Sequence, residues 1–342
     1  MSSTDATPSS LANDNAAASP AVPDAALAAS LAVALPAPLV STQWLADHLG
    51  RDGLVVLDAT VLNVPVPGAS KPGAYRWLSG LDQYLVEGHV PGAVFADVLE
   101  VFSDPDKPFG FARPNAEQIV QAAASVGIES GSTVVLYDDS VGQWAARVWW
   151  LLRSFGFENV AVLDGGLKKW RAEERPLEFG HVEPATARGF TAVERPEFWA
   201  EKSDVEAVVS GNAAATLVCA LPPSDFSGET GARPRRGHIP GSHSLPAGRL
   251  VDRADNALLQ GEALAEKLAP VLNAASASAE EGIGPAAVSS SADRIIAYCG
   301  GGIAAAAAAL ALTAAGASNI AIYDGSLNEW SADENAPLVS LV

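Results

Sequence analysis

Cysteine is almost absent from this chain of 342 residues, which holds only Cys219 and Cys299. Two thiols so far apart cannot build a disulfide scaffold, and no CxxC pair or histidine-rich cluster offers a zinc site. The pattern fits a reducing compartment in which one thiol is free to react. Basic side chains are scarce as well: 21 Lys and Arg stand against 40 Asp and Glu, a formal net charge of −19. Phosphate backbones and anionic membranes need clustered cations, so neither nucleic acid nor a membrane surface is expected as the main partner. No strongly apolar run reaches the roughly 18 residues of a membrane-spanning helix. The run Ala25–Leu35 resembles a signal-peptide core, but no Lys or Arg precedes Arg51. Without a positive leader, export is not expected, and a cytoplasmic location is. The glycine-rich nucleotide cradles GxxxxGK[ST] and GxGxxG are missing too.

What remains is ample for folding. Hydrophobic residues make up 49% of the chain, and its length suggests two domains of ordinary size. Residues 1–38 are rich in Ala, Ser, Pro, Asp and Asn and lack an aromatic, and read as a disordered leader that cannot offset its ordering entropy by burial. Beyond them, Val55–Asp58, Ser132–Tyr137 and Val160–Leu163 read as short buried strands, with a helix over Trp144–Phe155. Such alternation indicates a parallel α/β sheet.

The second half repeats the first. Leu57-Asp58-Ala59 corresponds to Val218-Cys219-Ala220, and the turn Gly88–Ala93 (GHVPGA) to Gly237–Ser242 (GHIPGS). The strand ending at Asp138 corresponds to the one ending at Cys299, and Leu163–Trp170 (LDGGLKKW) to Tyr323–Trp330 (YDGSLNEW). The offsets are 161, 149, 161 and 160. The reading is a duplicated α/β unit: a first domain over 39–170, a polar linker over 171–195 and a second domain over 196–342. The Ala/Ser/Glu-rich stretch Asn273–Asp293 is expected as a mobile surface loop.

Chemistry concentrates at Ile295–Ala304. A buried strand ends at Cys299, Gly300, Gly301 and Gly302 turn tightly, and an alanine-rich helix runs on through about Ala315. Glycines let backbone amides face inward, and the helix start adds partial positive charge, so a thiolate or persulfide there is stabilised. A cysteine before a glycine turn is equally compatible with a buried, inert thiol. The repeat separates the two copies: Asp138 stands where Cys299 does, so only one has a nucleophile.

The ordered set of paired motifs resembles the tandem rhodanese-family sulfurtransferases over residues 39–342. The resemblance implies an α/β/α fold with a five-stranded parallel sheet in each domain, a silent first domain, a catalytic second domain and a site at their interface. It also implies that Cys299–Ala304, including Ile303, is the catalytic loop. The related dual-specificity phosphatases close a longer loop with an arginine; here Ala305 takes that place, which disfavours phosphate-ester hydrolysis.

The sequence departs from the family in telling places. Thiosulfate-using members put Arg and Lys after the cysteine, where this chain has Gly300 and Gly301. Mercaptopyruvate-using members read Cys-Gly-Ser-Gly, and Gly301 lacks that hydroxyl. A donor-binding arginine common to both kinds is replaced by Asp225. Arg233, Arg235 and Arg236 form a local basic cluster in an acidic protein, and Arg233, then Arg236, are the expected anion-binding groups; a solvated basic patch is the alternative. Trp144 matches an aromatic of the family's interface pocket and is equally compatible with a core tryptophan. Cys219 lies in a strand implied to neighbour that of Cys299, bringing the sulfurs near each other, though a packed, inert thiol is expected. His89 and His238 occupy matching turns, where a structural role is expected. The resulting expectation is a ping-pong sulfurtransferase needing no metal or organic cofactor. Sulfur passes from thiosulfate or 3-mercaptopyruvate to cyanide or a thiol through a Cys299 persulfide. The rival is a non-enzymatic persulfide carrier or protein-binding module.

Overall fold

Strand order decides the architecture. The computed structural model describes residues 33–66, 68, 75–231, 233, 235–281 and 294–342, and these form two five-stranded parallel sheets. The first runs in the order β1 (Leu39–Val40), β7 (Val160–Leu163), β6 (Thr133–Tyr137), β2 (Leu54–Asp58) and β5 (Val94–Phe95). The second repeats it as β8 (Trp199–Ala200), β12 (Ile320–Tyr323), β11 (Ile295–Tyr298), β9 (Thr216–Cys219) and β10 (His243–Ser244). Every residue of β6 and of β11 is buried. Helices cover both faces of such sheets, so their central strands read as unbroken apolar runs. The two copies share their register: Asp58 pairs with Tyr137 in the first, and Cys219 with Tyr298 in the second.

The copies differ after β2. There the first carries an antiparallel hairpin, β3 (Val61–Pro65) and β4 (Tyr75–Ser79), while after β9 the second has the short helix Pro223–Ser227.

The helices that follow the two loops, Gln143–Ser154 and Ile303–Ala314, pack against each other across the seam. They belong to one apolar cluster that runs through both units, with Trp144, Trp149 and Trp150 on one helix and Ala305, Ala306, Ala308 and Ala309 on the other. Small residues opposite large ones allow the backbones to approach closely and fill the space between. The seam is also clasped reciprocally by the paired DG motifs. Asp164 of the first unit accepts the Leu258 amide (2.7 Å), and Asp324 of the second accepts the Arg113 amide (2.7 Å).

Two expectations change. The helix Gly261–Glu281 runs through the first half of the stretch read as a loop, because alanine and glutamate favour helix however polar the segment looks. The remainder of that stretch, 282–293, lies outside the described residues, as does 1–32 of the leader. The segment read as a linker packs on the first unit. His89 and Glu178 exchange two backbone hydrogen bonds of 2.9 Å, Val193 and Arg195 donate to Phe155 and Ser154, and Phe190 is buried. His89 stacks on Tyr84 and His238 on Phe226, each anchoring its turn. Among the described residues no helix is long and apolar enough to cross a membrane.

Candidate active site

β11 delivers Cys299 to the seam. The chain then turns through three glycines, of which Gly302 is left-handed (φ 81°), into the helix Ile303–Ala314. Cys299 is only 2% exposed, yet it lines a cleft of about 660 Å³. The loop's shape is set by residues 326–328. Ser326 accepts the amides of Cys299 (3.1 Å) and Gly302 (3.2 Å) on its hydroxyl, which donates to the Tyr323 carbonyl (2.7 Å). To do so it holds φ 49°, an uncommon conformation for a residue with a side chain. The amides of Leu327 and Asn328 take the carbonyls of Cys299 (3.1 Å) and Gly300 (2.9 Å). The amides of Gly300, Gly301, Ile303, Ala304 and Ala305 are left without a protein acceptor among the described residues. A rim of free donors at a helix start stabilises negative charge.

The first unit displays the same device already filled. Asp138 is fully buried, and its Oδ1 accepts the Ser140 amide (2.8 Å), the Ser140 hydroxyl (2.8 Å) and the Gly142 amide (3.0 Å). Its Oδ2 accepts the amides of Trp144 (2.8 Å) and Ala145 (3.1 Å). A carboxylate thus sits where the second unit has its thiol. Gly142 is left-handed like Gly302 (φ 78°).

The first unit builds the opposite wall of the cleft. Trp144, expected there, lies edge-on to Trp77 (5.2 Å) and Phe111 (5.3 Å), which join it in the lining. Trp144 is 1% exposed, so core and pocket readings meet in one residue. Arg233 and Asp225 line the cleft as well. Arg233 is held by a bond from its Nε to Asn328 Oδ1 (3.1 Å), and its Nη2 fills the space that a side chain on Gly300 would enter. Arg233 thus brings a cation over Gly300 from outside the loop. Arg236 is elsewhere: it is exposed, outside the cleft lining, and its Nη1 donates to the Glu229 carbonyl (3.0 Å). Arg235 is spent on the carbonyls of Asp333 and Ala336.

Cys219 and Cys299 belong to neighbouring strands but to opposite faces of the sheet. Cys219 packs with Tyr298, and Cys299 with Ala297. Burial pushes the Cys219 thiol up to about 12, which leaves it protonated and inert at neutral pH.

Several contributors escaped the sequence reading. Arg147, on the first unit's helix, is 1% exposed and pairs with Asp324 (2.7 Å) beneath the loop, with a bond to the Phe111 carbonyl (2.7 Å). Its Nη1 would lie 2.8 Å from a Cβ on Gly302, and its Nε and Nη1 have no hydrogen-bond partner. A cation inside the run Trp144–Trp150 was the available signal. Ser326 and Asn328 were legible in another way: they replace Gly166 and Lys168 of the first copy, so two of the motif's differences fall on residues that serve the loop.

Two segments, 41–173 and 220–333, match the family of rhodanese-like domains. The 3-mercaptopyruvate sulfurtransferase of Escherichia coli K12 is 31% identical over 303 residues, 87% of this chain and 96% of that protein. The thiosulfate/3-mercaptopyruvate sulfurtransferase 2 of Arabidopsis thaliana is 31% identical over 324 residues, 88% and 86% of the two chains. Among solved structures, the 3-mercaptopyruvate sulfotransferase SseA of Escherichia coli superposes with a TM-score of 0.66 at 30% identity, covering 85% of this chain and 98% of its own. The Tum1 protein of Saccharomyces cerevisiae, at 21% identity and a TM-score of 0.71, shares the fold.

Proposed function

The chain belongs to the rhodanese family of sulfurtransferases, and from that premise we propose that Cys299 carries the sulfur as a persulfide. The donor is a small anion, thiosulfate or 3-mercaptopyruvate, and the acceptor is cyanide or a thiol. One observation carries the reading: the amides of Gly300, Gly301, Ile303, Ala304 and Ala305 have no protein acceptor among the described residues, whereas in the other copy the corresponding loop closes on the Asp138 carboxylate. The free amides suit a negative charge that comes and goes.

The Cys299 thiolate attacks the donor's outer sulfur. A new S–S bond forms while the S–S bond of thiosulfate, or the C–S bond of 3-mercaptopyruvate, breaks. The electron pair leaves with sulfite or with the enolate of pyruvate. Arg233 offsets the donor's charge above Gly300, and the loop amides hold the outer sulfur of the persulfide. An acceptor then attacks that sulfur and returns the electron pair to Cys299.

Intact mass after incubation with each donor tests the proposal. The parent should gain one sulfur, and Cys299→Ser should gain none and lose turnover while remaining folded. Equal turnover in parent and variant would sink it. The carrier reading draws on Asp225, which repels an anionic donor; it predicts a Cys299 that loads from a partner protein but from neither small donor.

A further inference from the structure

The cleft holds two opposite charges that do not neutralise each other. Arg233 is bonded to Asn328 through Nε (3.1 Å), and Asp225 accepts from the Thr230 hydroxyl (2.5 Å). Both line the cleft beside Cys299, and among the described residues neither has an ion-pair partner. The nearby Arg236 sends its guanidinium to the Glu229 carbonyl instead. A plain anion entering this space gains from Arg233 and loses to Asp225. A molecule with a carboxylate and an ammonium group gains from both. The facing wall of Trp77 and Trp144 is apolar and suits the short carbon chain between such groups.

We propose that the acceptor is a zwitterionic α-amino thiol of the cysteine class, its carboxylate at Arg233 and its ammonium at Asp225. This rests on the Cys299 persulfide. The chemistry assigns the zwitterion to the acceptor half. A 3-mercapto-2-keto acid releases sulfur because its ketone takes up the electron pair of the broken C–S bond. An ammonium-bearing carbon offers no such sink, so an amino thiol can receive sulfur but cannot give up its own. Its thiolate attacks the outer sulfur of the persulfide, forming a new S–S bond. The bond from Cys299 Sγ breaks with its electron pair returning to Sγ, and the amino acid departs as a persulfide. No oxidant is consumed.

The test is single-turnover unloading. Cys299 is charged with inorganic polysulfide, excess reagent is removed, and loss of the added sulfur is followed by intact mass at equal thiolate concentrations. L-cysteine should unload the protein about tenfold to a hundredfold faster than 3-mercaptopropionate, which lacks the ammonium, or N-acetylcysteine, which masks it. Asp225→Asn should erase that preference, and Asp225→Arg should invert it. A parent that loads but treats the three thiols alike overturns the inference, as does a preference that survives Asp225→Asn. The comparison among thiols on the parent decides the matter even where a variant fails to fold. A parent that takes up no sulfur overturns the persulfide reading and this inference with it.

Discussion

The three glycines after Cys299 each lack a side chain for a separate reason, and each reason makes a different variant informative. At Gly300 the space belongs to the Arg233 guanidinium. At Gly301 a Cβ would press on Asn328 Nδ2 (3.0 Å) and approach the Gly110 carbonyl of the first unit (3.4 Å). At Gly302 the left-handed φ of 81° is joined by the Arg147–Asp324 pair, with Asp324 Oδ1 at 2.9 Å from a Cβ. Gly302→Ala should therefore cost about 1–3 kcal/mol in urea denaturation and depress turnover together; an unchanged midpoint would show that the loop relaxes freely. Arg233→Ala should raise the KM for donor about tenfold to a hundredfold with little change in stability, since a charged hydrogen bond is lost at a partly exposed position. Asp58 supplies a pH test away from the cleft. Burial raises its carboxyl from 3.8 to about 6, against a bond from the Thr60 amide. An acid held above its unfolded value binds its proton more tightly when folded, so its contribution is full below pH 3.8 and lost as pH rises through about 6. Asp58→Asn should flatten that part of the stability profile and leave the variant more stable than the parent at pH 7, by at most about 3 kcal/mol. Denaturation at a series of pH values checks it, and an unaltered slope would refute it.

Among elements, what could be read from sequence follows from where the constraint lies. The central strands β6 and β11 announce themselves as buried apolar runs, and the helix through Ala314 is bounded by glycines. Edge strands of two residues, such as β1 and β8, are too short to carry a period. Among the described residues the hairpin β3–β4 occurs in one copy only, so the repeat could not reveal it. Cys299 and its loop were legible because glycine spacing is local information. Arg147 and Phe111 were not, because their roles exist only once two units far apart in sequence have docked. The helix pair is where an element-scale change should tell most. Ala309→Leu adds volume inside the buried cluster that both helices share and should cost about 1–3 kcal/mol, read as a shift in thermal midpoint. A neutral result would mean the seam has room to spare.

At the scale of the molecule, the two units behave as one body. They share an apolar cluster, clasp each other through Asp164 and Asp324, and bury the Arg147–Asp324 pair between them. Removing Arg147 alone strands a nearly buried carboxylate, so Arg147→Ala should cost about 3–5 kcal/mol. The double variant Arg147→Met with Asp324→Asn, which removes both charges and keeps an acceptor for the Arg113 amide, should recover most of that stability. Denaturation of the single and double variants measures it, and two equal losses would mean that packing, not charge, is what Arg147 supplies. The filled loop around Asp138 bears on throughput. Its five donors are permanently engaged, so the first unit has no vacancy for an incoming anion, and Cys219 is locked on the far face of its sheet. Among the described residues, doubling the fold has left one berth open, reached through one cleft. In the chemistry proposed for it donor and acceptor must queue, and turnover quickens only by shortening each visit.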